Sequence, residues 1–326
     1  METIALGQQG PTVTPLCIGT WAWGDKLFWN YGNNYGSKEL QEAFDTALEV
    51  GITFFDTAEV YGFGVSEEFL GQFMQKTDKQ VQIATKYGPA PWRFMGQSVA
   101  DALTESLKRL KVQRVALYQV HWPFAFFMSQ ETLMNALADE VKRGRIEAIG
   151  VSNYSAQQMR EAHQLLAARG VPLAVNQVRY SLLTRQIESN GIFHTARELG
   201  VTILAYSPLA QGLLTGKYTS DKPGTACAKG DRTYDFKDAR RIDPRFSREG
   251  LRKIEPVMSV LRQLGEKHGR TPAQVALNWL IAQGNVIPIA GAKTAEQVRQ
   301  NAGALGWKLA DDEISQLEEV SRPWLR

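Results

Sequence analysis

Eight short apolar runs recur along this chain, separated by amphipathic stretches of helical length. The runs occupy residues 16–19, 52–55, 81–84, 114–120, 146–151, 173–178, 201–205 and 286–289. The helical stretches occupy residues 37–50, 66–75, 98–110, 130–143, 156–169, 187–199, 272–283 and 295–304. Runs that are apolar throughout suit strands covered on both faces, as in a parallel sheet. Eight strands alternating with helices predict an α/β fold, the (β/α)8 TIM barrel. The chain has 326 residues, against ~250 for a typical barrel. A single barrel domain over residues 1–326, with additions, is expected.

Two additions are visible. Residues 3–6 and Val13 flank the turn-like Gln8-Gln9-Gly10 and predict an N-terminal hairpin closing the barrel bottom. Residues 207–243, after the seventh run, form a long βα7 loop rich in Gly, Lys and Thr. A loop of that length in a compact domain is usually functional; a disordered insertion is the alternative for residues 219–232. Ser37 and Ser155 are expected N-caps, and Gly51, Gly144, Gly170 and Gly200 expected C-cap glycines.

Charge excludes some functions. With 37 basic and 34 acidic residues the net charge is +3, and no run of five basic residues occurs. That balance argues against nucleic acid as a partner. The two cysteines, Cys17 and Cys227, sit in unlike settings, an apolar run and a Gly/Lys-rich loop. Neither a disulfide nor a metal site is expected from them, and a reducing cytoplasmic compartment fits. No secretory segment and no apolar run near the length of a membrane span is read.

Barrel active sites form where strands end and the following loops begin. The second run leads into Asp56 and Tyr61, the third into Lys86 and the fourth into His121. Three consecutive strands therefore bring a carboxylate, an ammonium and an imidazole to one rim, with a phenol on the loop above. A buried Lys86 needs a counter-charge, which Asp56 can supply. A cation beside a phenol favours the phenolate, so Lys86 is expected to lower the pKa of Tyr61. His121 can hydrogen-bond a substrate oxygen. Each residue alone has an ordinary reading: a cap, a loop contact, a solvated tip, a core histidine. Together they suit protonation of an oxygen as negative charge develops on it.

At these positions the chain resembles the aldo-keto reductase superfamily. The matching segments are Phe55-Asp56-Thr57-Ala58 with Tyr61-Gly62, Thr85-Lys86, His121, and Gly150-Val151-Ser152-Asn153. Further matches are Asn176-Gln177-Val178-Arg179-Tyr180, Ala205-Tyr206-Ser207-Pro208-Leu209, Pro288, Gly291-Ala292-Lys293, Gln297 and Asn301. The run Trp21-Ala22-Trp23-Gly24 and residues 278–289 are similar to the bacterial and plant-plastid branch related to potassium-channel β subunits. The resemblance implies reduction of aldehydes or ketones, including quinones and dicarbonyls, by hydride transfer from NADPH. It implies a catalytic tetrad of Asp56, Tyr61, Lys86 and His121, with Tyr61 as proton donor. Ser152, Asn153 and Gln177 would hold the nicotinamide carboxamide, and Tyr206 would stack on the ring. Asp56 would also border the cofactor, as would Gly19, Thr20 and Trp21. The loop carrying Ser207, Leu209, Gly212 and Lys217 would cross the pyrophosphate, with Arg232 as a further contact. Pyridoxal and methylglyoxal-type aldehydes are substrates that the branch implies.

The cofactor end has a physical reading of its own. No Gly-x-Gly-x-x-Gly follows a strand, so a Rossmann site is not indicated. Instead Gly291-Ala292-Lys293-Thr294 opens the last helix of the alternation, where backbone N–H groups and a cation can meet a phosphate. A cation there favours NADPH, whose 2′-phosphate rewards it. Gln297 and Asn301 follow at one-turn spacing, placed for the adenine. Lys293 stands where some family members carry Arg, and a Lys lacks the planar guanidinium fork.

Aromatic residues crowd the same rim. Trp21, Trp23, Phe28, Trp29, Tyr31, Trp92, Phe94, Trp122, Phe124, Phe126 and Phe127 follow the first, third and fourth runs. Trp21, Trp23, Trp29, Trp92 and Trp122 are the expected substrate pocket; sealing of loops against the barrel is the alternative for about half of these aromatics. Two other functions compete. A channel-associated subunit with little turnover resembles the same family but has Asn at the His121 position. A Schiff-base lyase would need a neutral Lys86, which Asp56 opposes.

Overall fold

The computed structural model describes residues 2–123, 128–220, 240 and 243–326. The expectations for Phe124, Phe126, Phe127, Cys227 and Arg232 lie outside them. Two short strands, β1 (Ile4–Ala5) and β2 (Thr12–Val13), pair antiparallel as the expected hairpin. The barrel strands follow as β3 (Cys17–Gly19), β4 (Phe54–Asp56), β5 (Gln82–Tyr87) and β6 (Val115–Val120). They continue as β7 (Ile146–Ser152), β8 (Leu173–Arg179), β9 (Thr202–Tyr206) and β10 (Val286–Gly291). All eight run parallel, and β10 pairs with β3, so the sheet closes with no free edge.

Closure sorts the side chains into two cores. The barrel lumen holds Cys17, Phe54, Ala84, Leu117, Ala148, Ala174, Val175, Leu204, Ile287 and Ile289. Leu6 and Val13 of the hairpin join this inner cluster, which plugs the bottom of the barrel. Gly7 presses so closely on β8 that a Cβ there would sit 2.8 Å from Ala174 Cα. The larger core lies between the strands and their covering helices.

Those helices are α1 (Ser37–Glu49), α2 (Val65–Met74), α3 (Gln97–Leu110), α4 (Gln130–Lys142) and α5 (Ala156–Ala167). After the short α6 (Gln186–Ser189) come α7 (Ile192–Leu199), α8 (Arg248–His268), α9 (Pro272–Ala282), α10 (Ala295–Ala302) and α11 (Asp311–Val320). Ser155 caps α5 as expected, in a box with Gln158. Ser37 does not cap α1: Gly36 is the N-cap and Glu39 reaches back to its N–H at 2.8 Å. Gly51, Gly144, Gly170 and Gly200 all take left-handed φ, between 66° and 84°, the conformation that a Cβ disfavours.

Two helices were not anticipated. The sequence pattern of α8 is interrupted by Gly250, Pro256 and Gly265, residues that normally argue against a helix. Its buried face, Leu251, Ile254, Val257, Met258, Leu261 and Leu264, nevertheless keeps helical spacing. Helix α11 packs against α8 beyond the eight-fold alternation. Among the described residues no helix is long and apolar enough to cross a membrane.

Candidate active site

Strand alternation decides which residues meet at the barrel mouth. On β5, Ala84 lies in the lumen and Lys86 follows on the same face. Thr85 points outward and donates to Glu67 of α2 at 2.5 Å, while Arg109 of α3 pairs with the same carboxylate at 2.7 Å. Burial raises the Glu67 carboxyl despite these partners. This buried cluster anchors β5 from behind.

In front, Lys86 is fully buried, with its ammonium 2.6 Å from Asp56 Oδ2 and 2.7 Å from the Thr57 carbonyl. The Tyr61 hydroxyl lies 3.3 Å from the same ammonium. Burial alone would drive Lys86 toward the neutral amine, but the Asp56 charge and the Tyr61 hydroxyl raise its pKa above the ordinary value. Lys86 is therefore held as an ammonium, which disfavours the imine-forming lysine of a lyase.

Tyr61 departs from expectation. Lys86 does pull its pKa down, but burial is the larger effect and leaves the phenol raised above its ordinary value. The phenol thus keeps its proton near neutral pH. His121 is 8% exposed, with its ring edge-on to Tyr61 at 5.8 Å between centroids. Burial first, and Lys86 second, push its pKa down to about 2. The imidazole is neutral across the physiological range, and its Nδ1 has no hydrogen-bond partner among the described residues.

Asp56 is gripped on its other oxygen too. Gln177 of β8 donates to Oδ1 at 2.8 Å and Gln119 of β6 at 3.2 Å. The backbone of Asp56 is fixed by Thr20, whose N–H and hydroxyl both donate to its carbonyl. Thr20 is buried, so it positions Asp56 from behind. Gly19 packs on Ile289, where a Cβ would come within 2.8 Å of that side chain.

The residues expected at the carboxamide are linked to one another. Ser152 Oγ donates to the Gln177 carbonyl at 3.0 Å, Asn153 Nδ2 to Ser152 Oγ at 3.0 Å, and Tyr206 to Asn153 Oδ1 at 3.0 Å. Asn153 adopts φ 61°. Ser207, Ala210 and Gln211 also take left-handed φ, at 53°, 48° and 57°. Such conformations are costly for non-glycine residues and concentrate at functional sites. Leu209 and Gly212 lie in this bent segment, with Lys217 just beyond it.

At the far end, Lys293 does not project freely. Its ammonium sits 4.7 Å from the ring centres of both Trp29 and Tyr35. Its backbone N–H donates to Gln297 Oε1 at 2.7 Å, and the Gln297 N–H donates to Thr294. Asn301 donates to the Gly291 carbonyl at 3.4 Å. Gln297 and Asn301 therefore brace the turn instead of standing open, and two of its expected N–H donors are already used. Gly291 itself faces open space, since a Cβ there would meet nothing within 4 Å. The Trp29 Nε1 is buried without a partner among the described residues. An orphaned donor and an open backbone beside a cation fit an extended anionic ligand.

Of the expected pocket, Trp21 borders Tyr61, with ring centroids 6.4 Å apart, and Trp29 packs edge-on to Trp21 at 5.3 Å. Trp122 stacks on His121 at 3.8 Å. Trp92 is 74% exposed and stands at the outer rim with Phe94. Trp23 is not a pocket wall: it is fully buried against Phe55 and Phe73, and its indole N–H donates to the Ala292 carbonyl at 2.8 Å. The alternating pattern of its own loop gave no sign of that inward turn.

Sequence reasoning also missed Glu59 and Gln119. Glu59 accepts from the Gly88 N–H at 2.5 Å and forms a two-point ion pair with Arg93, tying the loop of Tyr61 to the loop of Trp92. Its position between Asp56 and Tyr61 was the available signal. Among the described residues no cluster of His, Cys, Asp or Glu could hold a metal ion.

A buried ammonium, a protonated phenol and a neutral imidazole thus meet at the mouth of a closed parallel barrel, a set suited to protonating an oxygen. The aldo/keto reductase family model matches residues 15–322, and the chain belongs to that family. It is 39% identical to the chloroplastic pyridoxal reductase of Arabidopsis thaliana, over 97% of this chain and 85% of the relative. It is 32% identical to the NADH-specific methylglyoxal reductase of Escherichia coli, over 98% of each. Among solved structures, the glycerol dehydrogenase of Gluconobacter oxydans superposes with a TM-score of 0.83 at 29% identity, covering 99% of this chain and 96% of that one. The protein is thus a nicotinamide-dependent oxidoreductase acting on carbonyl groups.

Proposed function

We propose that residues 1–326 act as one catalytic domain that reduces aldehydes and ketones with NADPH, Tyr61 giving the proton. The observation that carries this reading is the Lys86 ammonium, sealed in the barrel, 2.6 Å from Asp56 and 3.3 Å from the Tyr61 hydroxyl. A bound nicotinamide would supply hydride to the carbonyl carbon. As negative charge grows on the carbonyl oxygen, the Tyr61 phenol donates its proton there. The remaining phenolate is stabilised by Lys86, whose charge Asp56 maintains. Preorganised charge of this kind acts in the transition state without reorganising. His121, neutral, can donate a hydrogen bond to the same oxygen without competing as an acid.

Gly19, Trp21, Asp56, Ser152, Asn153, Gln177 and Tyr206 would surround the nicotinamide, with Thr20 holding Asp56 from behind. Ser207, Leu209, Gly212 and Lys217 would lie along the pyrophosphate. Gly291, Lys293, Gln297 and Asn301 would frame the adenosine end. The preference for NADPH rests on Lys293, whose charge is held between two rings at the start of α10. Trp21, Trp29 and Trp122 would shape the substrate pocket, which suits planar or aromatic aldehydes, quinones and dicarbonyls. The relatives named for pyridoxal and methylglyoxal support small carbonyls of these types.

The test is a panel of pyridoxal, methylglyoxal, aromatic aldehydes and quinones, followed by NADPH absorbance with wild type and Tyr61→Phe. Turnover of at least one carbonyl by wild type, lost in the variant, is expected. Undiminished turnover in Tyr61→Phe would remove Tyr61 as the acid.

A further inference from the structure

Gln119, a donor to Asp56 with no role yet in the proposed reaction, is fully buried in the lumen below the barrel mouth. It follows Leu117 on the inward face of β6, two residues before His121. Its Nε2 donates to Asp56 Oδ1 at 3.2 Å, and its Oε1 accepts from Gln177 Nε2 at 3.2 Å. Gln177 Nε2 also donates to Asp56 Oδ1 at 2.8 Å. The three side chains close a triangle across β4, β6 and β8.

The chemistry of the triangle fixes its orientation. A carboxylate only accepts, so both amides must turn their nitrogens toward Asp56. Gln177 has two N–H donors, and both are then used. Its Oε1 accepts no hydrogen bond among the described residues, which leaves an acceptor for an amide ligand. The space is specific as well: on β7 a Cβ at Gly150 would lie 2.8 Å from Gln119 Cγ. A polar side chain buried in an apolar lumen is costly unless its bonds are made, and here they are made to a proposed catalytic carboxylate and a proposed cofactor contact.

We propose that Gln119 is a positioning residue that locks Asp56 against Lys86 and aims the Gln177 amide oxygen at the nicotinamide carboxamide. Gln119 touches neither ligand. It couples the end of the site that holds the hydride donor to the end that holds the proton donor. The inference rests on the carbonyl-reductase reading of this site.

The groups that set the protonation of Lys86 are few. Asp56 faces it from β4, the Tyr61 hydroxyl from the following loop, and neutral His121 from β6. The Cys17 thiol of β3 also lies within electrostatic reach, and burial pushes it well up. Tyr206 acts on Tyr61 from β9. Of these, Asp56 raises Lys86 most, ahead of Tyr61, so an Asp56 freed to rotate lowers the ammonium's pKa.

The test compares Gln119→Met, which keeps volume but makes no amide bonds, with wild type. Three quantities are read: the melting temperature, the NADPH dissociation constant from tryptophan quenching, and the pH profile of kcat. The expected result is a melting temperature close to wild type and a dissociation constant several-fold weaker. It includes a kcat about tenfold lower, the scale of one buried hydrogen bond, with carbonyl KM little changed. The alkaline limb of kcat moves to lower pH. An unchanged alkaline limb with unchanged NADPH binding overturns the proposal, whatever the melting temperature does, because it leaves Gln119 as filler. Should Gln119→Met fail to fold, Gly150→Ala displaces the amide from the other side, and the same two shifts are required. Cofactor binding is read without turnover, so it stands apart from the Tyr61→Phe test of the reaction itself.

Discussion

The two ends of the proposed ligand path are held together in opposite ways. At the barrel mouth, Asp56, Lys86, Gln119 and Gln177 are buried and joined to one another by directional hydrogen bonds inside the lumen. At the start of α10, Lys293 rests on the faces of Trp29 and Tyr35, partners that offer a diffuse attraction and no fixed hydrogen-bond direction. The first arrangement suits chemistry, where an ångström of misplacement is expensive in rate. The second suits recognition of a phosphate by a point charge that can shift to meet it. On the proposed reading, the difference teaches that the catalytic end would be held by short directional bonds and the adenosine end by ring contacts to a cation.

If the mouth is the rigid end, its variants should show the largest losses. Tyr61→Phe is expected to lower kcat/KM by about 10²–10⁴-fold while the NADPH dissociation constant, read by fluorescence, stays within a few-fold of wild type. A parallel loss of cofactor binding would show that Tyr61 organises the site as well as donating to it. Lys86→Met leaves Asp56 buried without its cation. Its expected cost is about 3–5 kcal/mol of stability, measured by urea denaturation, alongside loss of turnover. A variant as stable as wild type would mean that Asp56 finds another partner and that the network is softer than described.

The adjustable end should respond more gently. Lys293→Met is expected to weaken NADPH about tenfold, the scale of one charge-assisted contact, and NADH little, by titration calorimetry. Equal losses for both would move the 2′-phosphate elsewhere. Trp29→Leu, which removes one face of the ammonium's support, is expected to change the NADPH to NADH ratio by only a few-fold. An effect larger than that of Lys293→Met would make the indole, whose buried N–H lacks a partner, a ligand contact in its own right.

A last effect concerns pH. His121 has its pKa lowered to about 2 in the folded chain, against ~6.5 when unfolded. Below pH 6.5 the unfolded state binds a proton that the folded state refuses, so stability falls as pH falls. The slope from this group is up to about 1.4 kcal/mol per pH unit. His121→Asn should flatten the loss of stability between pH 6 and 5. An unaltered slope would place a charged imidazole in the site.

Most of the framework was legible in the chain. Strand-length apolar runs suit strands buried on both faces, as in a parallel sheet, and eight of them with helices between leave few alternatives to a closed barrel. The strand ends then placed Asp56, Lys86 and His121 on adjacent strands. The hairpin was legible because Leu6 and Val13 flank a turn. Helix α8 was not, because Pro256 and two glycines break a propensity that packing against the barrel restores. Ser37 was misjudged as a cap because Gly36, lacking a side chain, carries no signal of its own; its partner Glu39 does the work.

What the sequence determined by itself, then, is periodicity and local chemistry: how many strands, which residues end them, and that a phenol, a cation, a carboxylate and an imidazole share one rim. Tertiary structure alone decided the energetic balance among them. Burial outweighed Lys86 at Tyr61, so the phenol's pKa is raised where the neighbouring cation had suggested that it would be lowered. It also turned Trp23 into the core, seated Lys293 between two rings, and brought Gln119 and Gln177, 58 positions apart in the chain, onto one carboxylate. The reason is physical. Desolvation and hydrogen-bond partnership depend on what lies across the barrel, and that distance is not written in neighbouring residues.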